Sequence, residues 1–216
     1  MKSEFASFDQ PTVFIVDDDP AVRQSLVTLL RSMDLAAEPF ESAEHFLQSI
    51  DGSRPGCILL DVRMPGLGGL ALLEKLKEDG ISLPSIVMSA YGDVPMVVRA
   101  IKAGALNFLE KPCRDQQLWE ALQEALRWDA QHRRQLAMRA KIRQRLERLT
   151  SGERDVLRYL VEGLSNKAIA TELAVSVRAV EVRRSKLMKK MKADSLAELI
   201  RLTLVLTTDF GKPQLA

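Results

Sequence analysis

The chain has 216 residues, 46% of them apolar and 28% charged, with 11 Gly and 9 Pro; this excludes collagen-like, disordered and disulfide-stapled classes. No apolar run approaches the roughly 18 residues of a membrane span, and residues 1–10 lack the apolar stretch of a signal peptide. The net charge of +2 hides a split, since residues 1–126 carry 11 Lys and Arg against 19 Asp and Glu (net −8), and the remainder carries 20 against 10 (net +10).

In chain order, four short apolar runs stand out: Val13–Val16, Cys57–Leu60, Ser85–Met88 and Leu106–Leu109, with a weaker one at Ala36–Phe40. Helical patterns fill the gaps, at Pro20–Arg31, Ser42–Gln48, Gly69–Glu78 and Pro95–Ala103, and another opens near Asp115. Continuous apolar strands alternating with amphipathic helices specify a parallel sheet covered on both faces. The expected fold of 11–126 is therefore an α/β doubly wound domain of flavodoxin-like type with five parallel strands.

No Pro or Gly lies between Pro112 and Gly152, so the last helix of this domain is expected to run on as a helical linker over 127–148. Met138, Ile142, Leu146 and Leu149 keep one apolar stripe along it. That stripe suits either the chain's own domains or a second copy, and the first reading is favoured. Residues 149–206 read as four short helices in a small all-α domain. Thr150-Ser151-Gly152-Glu153 is a capping-box pattern, and Ser165, Ser176 and Ser195 are candidate N-caps. Only Ala174-Val175-Ser176 separates the second helix of the four from the third, which is the helix-turn-helix spacing.

Counting the weaker run as the second strand, Asp17, Asp18 and Asp19 directly follow the first and Asp61 the third, while Ser89 follows the fourth and Lys111 the fifth. In a doubly wound sheet these strand ends converge on the ligand crevice. Clustered carboxylates repel unless a cation sits among them, and hard oxygen ligands favour Mg²⁺. A carboxylate nucleophile that accepts a phosphoryl group forms an acyl phosphate, with Lys111 and Ser89 placed to stabilise the transferred oxygens. Asp19, before Pro20, reads as a helix cap. The same pocket also allows a Mg²⁺-dependent phosphohydrolase, but that reading leaves residues 150–206 unexplained.

These residues resemble the receiver domain of two-component response regulators. The resemblance rests on Ile15-Val16-Asp17-Asp18-Asp19, Leu59-Leu60-Asp61-Val62-Arg63-Met64-Pro65-Gly66, Ser89-Ala90-Tyr91-Gly92-Asp93-Val94-Pro95-Met96 and Glu110-Lys111-Pro112. The run Gly92–Met96 and the Lys111-Pro112 dipeptide are most similar to the FixJ subfamily. It implies that Asp61 is the phosphoacceptor, that Asp17, Asp18, Asp61 and the Arg63 backbone carbonyl hold Mg²⁺, and that Ser89 and Phe108 form a switch pair beside Lys111. It also implies a cis Lys-Pro bond.

The third short helix of the basic half carries Arg178, Arg183, Arg184, Lys186, Lys189, Lys190 and Lys192 opposite an apolar face of Val180, Leu187 and Met191. This half resembles the LuxR-type helix-turn-helix domain, through Leu149–Arg154, Glu162–Lys167, Ile169-Ala170, Val180-Glu181-Val182 and Ser195–Leu199. The resemblance implies that Glu181, Val182 and Ser185 reach base edges. Lys167, Arg178, Arg183, Arg184, Lys186 and Lys189 are the expected phosphate contacts. Ala179 and Arg183 depart from the usual Thr and His, and Cys113 from the usual Phe after Lys-Pro.

Together the two resemblances imply a phosphorylation-activated DNA-binding transcriptional regulator. Its expected partners are a sensor histidine kinase, double-stranded promoter DNA, RNA polymerase and, on phosphorylation, a second copy of the chain; no membrane is expected. Two cysteines without metal-ligand spacing suit a reduced, cytoplasmic setting. No enzymatic activity is expected beyond self-phosphorylation from a donor and slow autodephosphorylation. His45 and His132 read as surface residues, Trp119 and Trp128 as packing residues, and residues 207–216 as a frayed tail.

Overall fold

The computed structural model describes residues 10–90 and 92–207; the segment 1–9, Tyr91 and residues 208–216 of the expected tail lie outside them, while Thr207, expected to open that tail, ends a helix. The chain divides into two compact units, Met1–His132 and Arg133–Ala216.

In the first unit, strands β1 (Thr12–Val16), β2 (Ala36–Phe40), β3 (Gly56–Asp61), β4 (Ser85–Ser89) and β5 (Asn107–Glu110) form one sheet in the order β2-β1-β3-β4-β5. All four pairings are parallel, with Val13 opposite Cys57 and Val87 opposite Phe108. All five residues of β1 and of β4 are buried, because helices cover both sheet faces and leave no solvated side to alternate with.

Alternate residues feed two cores. Phe14, Val16, Ile58, Leu60 and Val87 face helices α2 (Ala43–Ser49), α3 (Gly69–Glu78) and α4 (Val94–Ala103), meeting Phe46, Leu72, Leu76 and Ala100. Val13, Ile15, Cys57, Leu59, Ile86 and Met88 face α1 (Pro20–Ser32) and α5 (Asp115–Glu147), meeting Leu26, Leu30, Leu118 and Leu122. Each fully buried Leu, Ile or Phe contributes roughly 1.5–3 kcal/mol relative to exposure.

Local chemistry starts the helices. Asp19 Oδ1 accepts from Ala21 N at 2.8 Å, Ser42 Oγ from His45 N at 3.1 Å and Asp93 Oδ1 from Met96 N at 2.8 Å. The fifth strand runs one residue later than its apolar run, with Leu106 N bonded to Ser85 O (2.8 Å) just before it.

Helix α5 is continuous for 33 residues. Its stripe is shorter than expected: Ile142 and Leu149 are buried and Leu146 is half-buried in the second core, but Met138 is 48% exposed. Trp119 likewise lies outside the cores and is 38% exposed; Leu118, Ala121, Leu122 and Ala125 define the buried face, and Trp119 points about 100° away from Leu118. Trp128 is half-buried and stacks on His132, 4.8 Å apart at 12°, so His132 is a packed residue and not a bare surface one. His45 is exposed, with its ring edge against Phe40.

The second unit contains α6 (Ser151–Val161), α7 (Asn166–Glu172), α8 (Val177–Met191) and α9 (Leu196–Thr207). The capping box at Thr150 and Glu153 is formed, and Ser165, Ser176 and Ser195 cap their helices. Ile142, Val156, Leu160, Ile169, Val180, Leu187, Met191 and Leu199 make up its core.

Candidate functional site

Strand order reverses around β1, and the acidic residues lie at the carboxyl ends of β1 and its neighbour β3. Asp17, which is 4% exposed, directly follows β1, and Asp61 ends β3. Lys111 follows β5, with its backbone N–H bonded to Ser89 O at 2.7 Å. Its ammonium bridges the two acids, donating to Asp17 Oδ2 at 2.7 Å and Asp61 Oδ1 at 2.6 Å. The other Asp61 oxygen accepts from Arg63 N at 2.6 Å, and Asp17 Oδ1 from Asp19 N at 2.9 Å. Burial pulls the Lys111 pKa down, but the hydrogen bonds and charges of Asp17 and Asp61 outweigh it and hold the ammonium above its ordinary value.

Around this triad, Ser89 is buried at the end of β4, and Phe108 of β5 is half-buried against the α2–α4 side of the sheet. Asp18 is exposed. Among the described residues, no three His, Cys, Asp or Glu side chains are grouped as a metal cage. The structure thus joins Asp17, Asp61 and Lys111 directly, without Asp18 in a preformed set. The Lys111-Pro112 bond is cis. Cys113 packs half-buried against the α1–α5 core, as a small side chain there should. Cys57 of β3 is buried in the core on the α1–α5 side of the sheet, and burial, with a smaller push from Asp129, raises its thiol to about 12.

Two neighbours of the pocket were not foreseen. Arg23 of α1 donates to the Asp17 carbonyl at 2.6 Å. Glu44 of α2 accepts from Leu67 N at 2.8 Å and so holds the loop that follows Asp61. A charged residue one helical turn after a strand-end acid was the only signal for the first, and the second had none.

In the second unit, Ala174 turns the chain between α7 and α8 at φ +52°. Val180, Leu187 and Met191 bury one face of α8, and Glu181, Val182, Ser185, Arg178, Lys186 and Lys189 are exposed. Lys167 of α7 is exposed too. The cations do not all line one face, as the charge run suggested. Arg184 donates to Asn166 Oδ1 at 2.9 Å, and Arg183 is half-buried with its guanidinium over Gly152. Lys190 turns inward to Glu153 Oε2 at 2.6 Å.

That last pair is the main feature the sequence did not disclose. Glu153 was legible as a capping residue, and its Oε2 does accept from Thr150 N at 2.8 Å. It is also 3% exposed and paired 37 residues away. Burial raises its carboxyl pKa, but the Lys190 ammonium and the Thr150 donors more than reverse this and hold it below the ordinary value. A depressed carboxylate contributes stability above its unfolded pKa, about 4.3, and loses it as pH falls through the lower folded value. Glu153→Gln is therefore expected to cost about 2 kcal/mol at pH 7, with the gap closing below pH 4 in urea unfolding. A gap equal at pH 7 and pH 3 would show that the charge contributes nothing.

A family model described as the response regulator receiver domain matches residues 13–123, and one described as bacterial regulatory proteins of the luxR family matches residues 147–203. The transcriptional regulatory protein FixJ of Azorhizobium caulinodans is 46% identical over 193 residues, which is 89% of this chain and 92% of that one. The response regulator protein TodT of Pseudomonas putida is 41% identical over 191 residues, covering 88% and 84%. Among solved structures, the response regulator StyR superposes with a TM-score of 0.81 at 41% identity, covering 91% of this chain and 99% of that one.

Proposed function

Because the chain belongs to the response regulators that join a receiver domain to a LuxR-family DNA-binding domain, we propose that phosphoryl transfer to Asp61 switches its binding to promoter DNA. The receiver domain is assigned to 11–126, the linker to 127–148 and the DNA-binding domain to 149–206. The Lys111 bridge between Asp17 and Asp61 carries the reading. An ammonium clamped at the carboxylate is already where negative charge develops during transfer.

In the proposed reaction an Asp61 oxygen attacks phosphorus, the bond from phosphorus to the donor's imidazole nitrogen breaks, and an acyl phosphate forms. The donor is a sensor histidine kinase, and a small acyl phosphate can replace it with its own carboxylate as leaving group. Water later attacks the same phosphorus and returns the free carboxylate, so the chain turns over only itself. Asp17, Asp61, Asp18 and the Arg63 carbonyl suit Mg²⁺ in kind. All are hard oxygen donors, and the ion needs only one or two carboxylates, with waters and phosphate oxygens for the rest. When bound, it neutralises charge on the phosphoryl oxygens.

The added charge then draws the Ser89 hydroxyl toward the phosphoryl group, and Phe108 moves into the space released. The surface of α4 and β5 changes with it and favours a homodimer. Val94 and Val98, 75% and 43% exposed on α4, supply apolar area there. In the second unit, Glu181, Val182 and Ser185 read base edges. Lys167, Arg178, Lys186 and Lys189 hold phosphates, with Arg184 beside Asn166 and Arg183 over the start of α6. Two copies meet half-sites about one helical turn apart and present the complex to RNA polymerase. No described helix is long and apolar enough to cross a membrane, and the reading places the chain in the cytoplasm.

Intact mass after incubation with a small acyl-phosphate donor tests this. The expected result is a gain of one phosphate that disappears with EDTA and with Asp61→Asn. A gain of the same size in Asp61→Asn would overturn the assignment of the phosphoacceptor.

A further inference from the structure

Helix α8 ends at Lys192, which is left-handed at φ +54° and whose N–H caps the Met188 and Lys189 carbonyls, so only the carbonyls after these lack partners within the helix. One of them, Met191 O, accepts from Arg145 of α5, 2.9 Å from the guanidinium nitrogen. The exchange is reciprocal, because Lys190 of the same last turn donates to Arg148 O at 3.1 Å and to Glu153 Oε2 at 2.6 Å. Ile142, one turn before Arg145, is 1% exposed in the core that contains Val180, Leu187 and Met191. The end of α5, the junction to α6 and the first turn of α6 thus grip the carboxyl end of α8 by packing and by three charged hydrogen bonds. Further up α8, Arg184 donates to Asn166 Oδ1 of α7 at 2.9 Å, and among the described residues the exposed Glu181 and Ser185 themselves make no such bond to another element.

We propose that Arg145 is a positioning residue for DNA recognition, setting the tilt of α8 through the Met191 carbonyl without touching DNA. This rests on the reading that α8 enters the major groove. Base-edge contacts demand that the helix be held within a fraction of an ångström, whereas long Lys and Arg side chains follow a phosphate through a change of tilt. Losing the grip therefore costs specificity before it costs general affinity. A fixed cationic fork suits the task, since guanidinium donors are pre-organised and the negative end of a helix favours a cation.

The test uses the full chain and two duplexes: one selected from a random pool by the wild type, and a scrambled version of it. Arg145→Met keeps the aliphatic stem and removes the donors. It is expected to weaken binding to the selected duplex about tenfold, comparable to one lost base contact, while scrambled-duplex affinity stays within twofold. The slope of log affinity against log salt is expected to be unchanged, and Arg145→Lys should regain most of the selectivity. Equal losses on both duplexes with a slope smaller by about one would make Arg145 a phosphate contact and overturn the proposal. Equal losses with a collapsed thermal midpoint would make it merely structural, and wild-type selectivity in Arg145→Met would also overturn it. If Arg145→Met does not fold, Arg145→Leu, which also lacks donors, carries the same expectations. A wild type that selects no duplex would instead sink the reading of α8 as the recognition helix.

Discussion

Lys111→Met is expected to slow phosphoryl transfer to Asp61 at least about a hundredfold and to destabilise the receiver unit by about 3 kcal/mol at pH 7. Both effects follow from the same geometry. The ammonium lies 2.7 Å from Asp17 and 2.6 Å from Asp61, and without it two largely buried carboxylates face each other. Its folded pKa is raised, so its stabilising effect is complete below the ordinary Lys value of about 10.4 and disappears only as pH rises through the higher folded value. Neutral pH is inside that window. The rate of single-phosphate mass gain and urea unfolding at pH 7 measure the two effects. Wild-type transfer by Lys111→Met would mean that the ammonium does not neutralise the transferring group.

Gly56→Ala is expected to remove cooperative folding of the receiver unit, at a cost above about 4 kcal/mol, in the exceptional class for a single substitution. A Cβ at Gly56 would sit 1.9 Å from the Thr12 carbonyl oxygen, in backbone that cannot move without breaking the pairing of β1 and β3. The residue is also at φ +152°, where an L side chain is strained. Its N–H is meanwhile bound to Asp129 Oδ2 at 3.0 Å. Gly80→Ala separates the two causes, because Gly80 has φ +70° and nothing within 4 Å of its would-be Cβ. That control should cost only about 1 kcal/mol. Similar urea midpoints for the two variants would show that the Thr12 contact is accommodated.

Much of the fold was legible because its determinants are local. Asp19, Ser42, Asp93, Ser165 and Ser176 bond to backbone N–H groups two or three residues away, so the sequence itself contains both partners. The unbroken apolar runs announced strands buried on both faces, and the acids directly after them announced the pocket. Trp119 and Met138 were misread because periodicity gives a face and not its occupant. Leu118, Leu122 and Ile142 fill the cores, and Trp119 and Met138, on other faces of the same helix, stay 38% and 48% exposed.

The sequence by itself determined the two-part architecture, the parallel sheet, most helix boundaries to within about a residue and the convergence of Asp17, Asp61 and Lys111. Tertiary structure alone decided which charges would be paired inside. Asp129 found Gly56 73 residues away, Lys190 found Glu153 37 away and Arg145 found Met191 46 away. The physical reason is that a buried polar group must be satisfied by whatever donor or acceptor packing brings within about 3 Å. Local pattern carries no record of that distance.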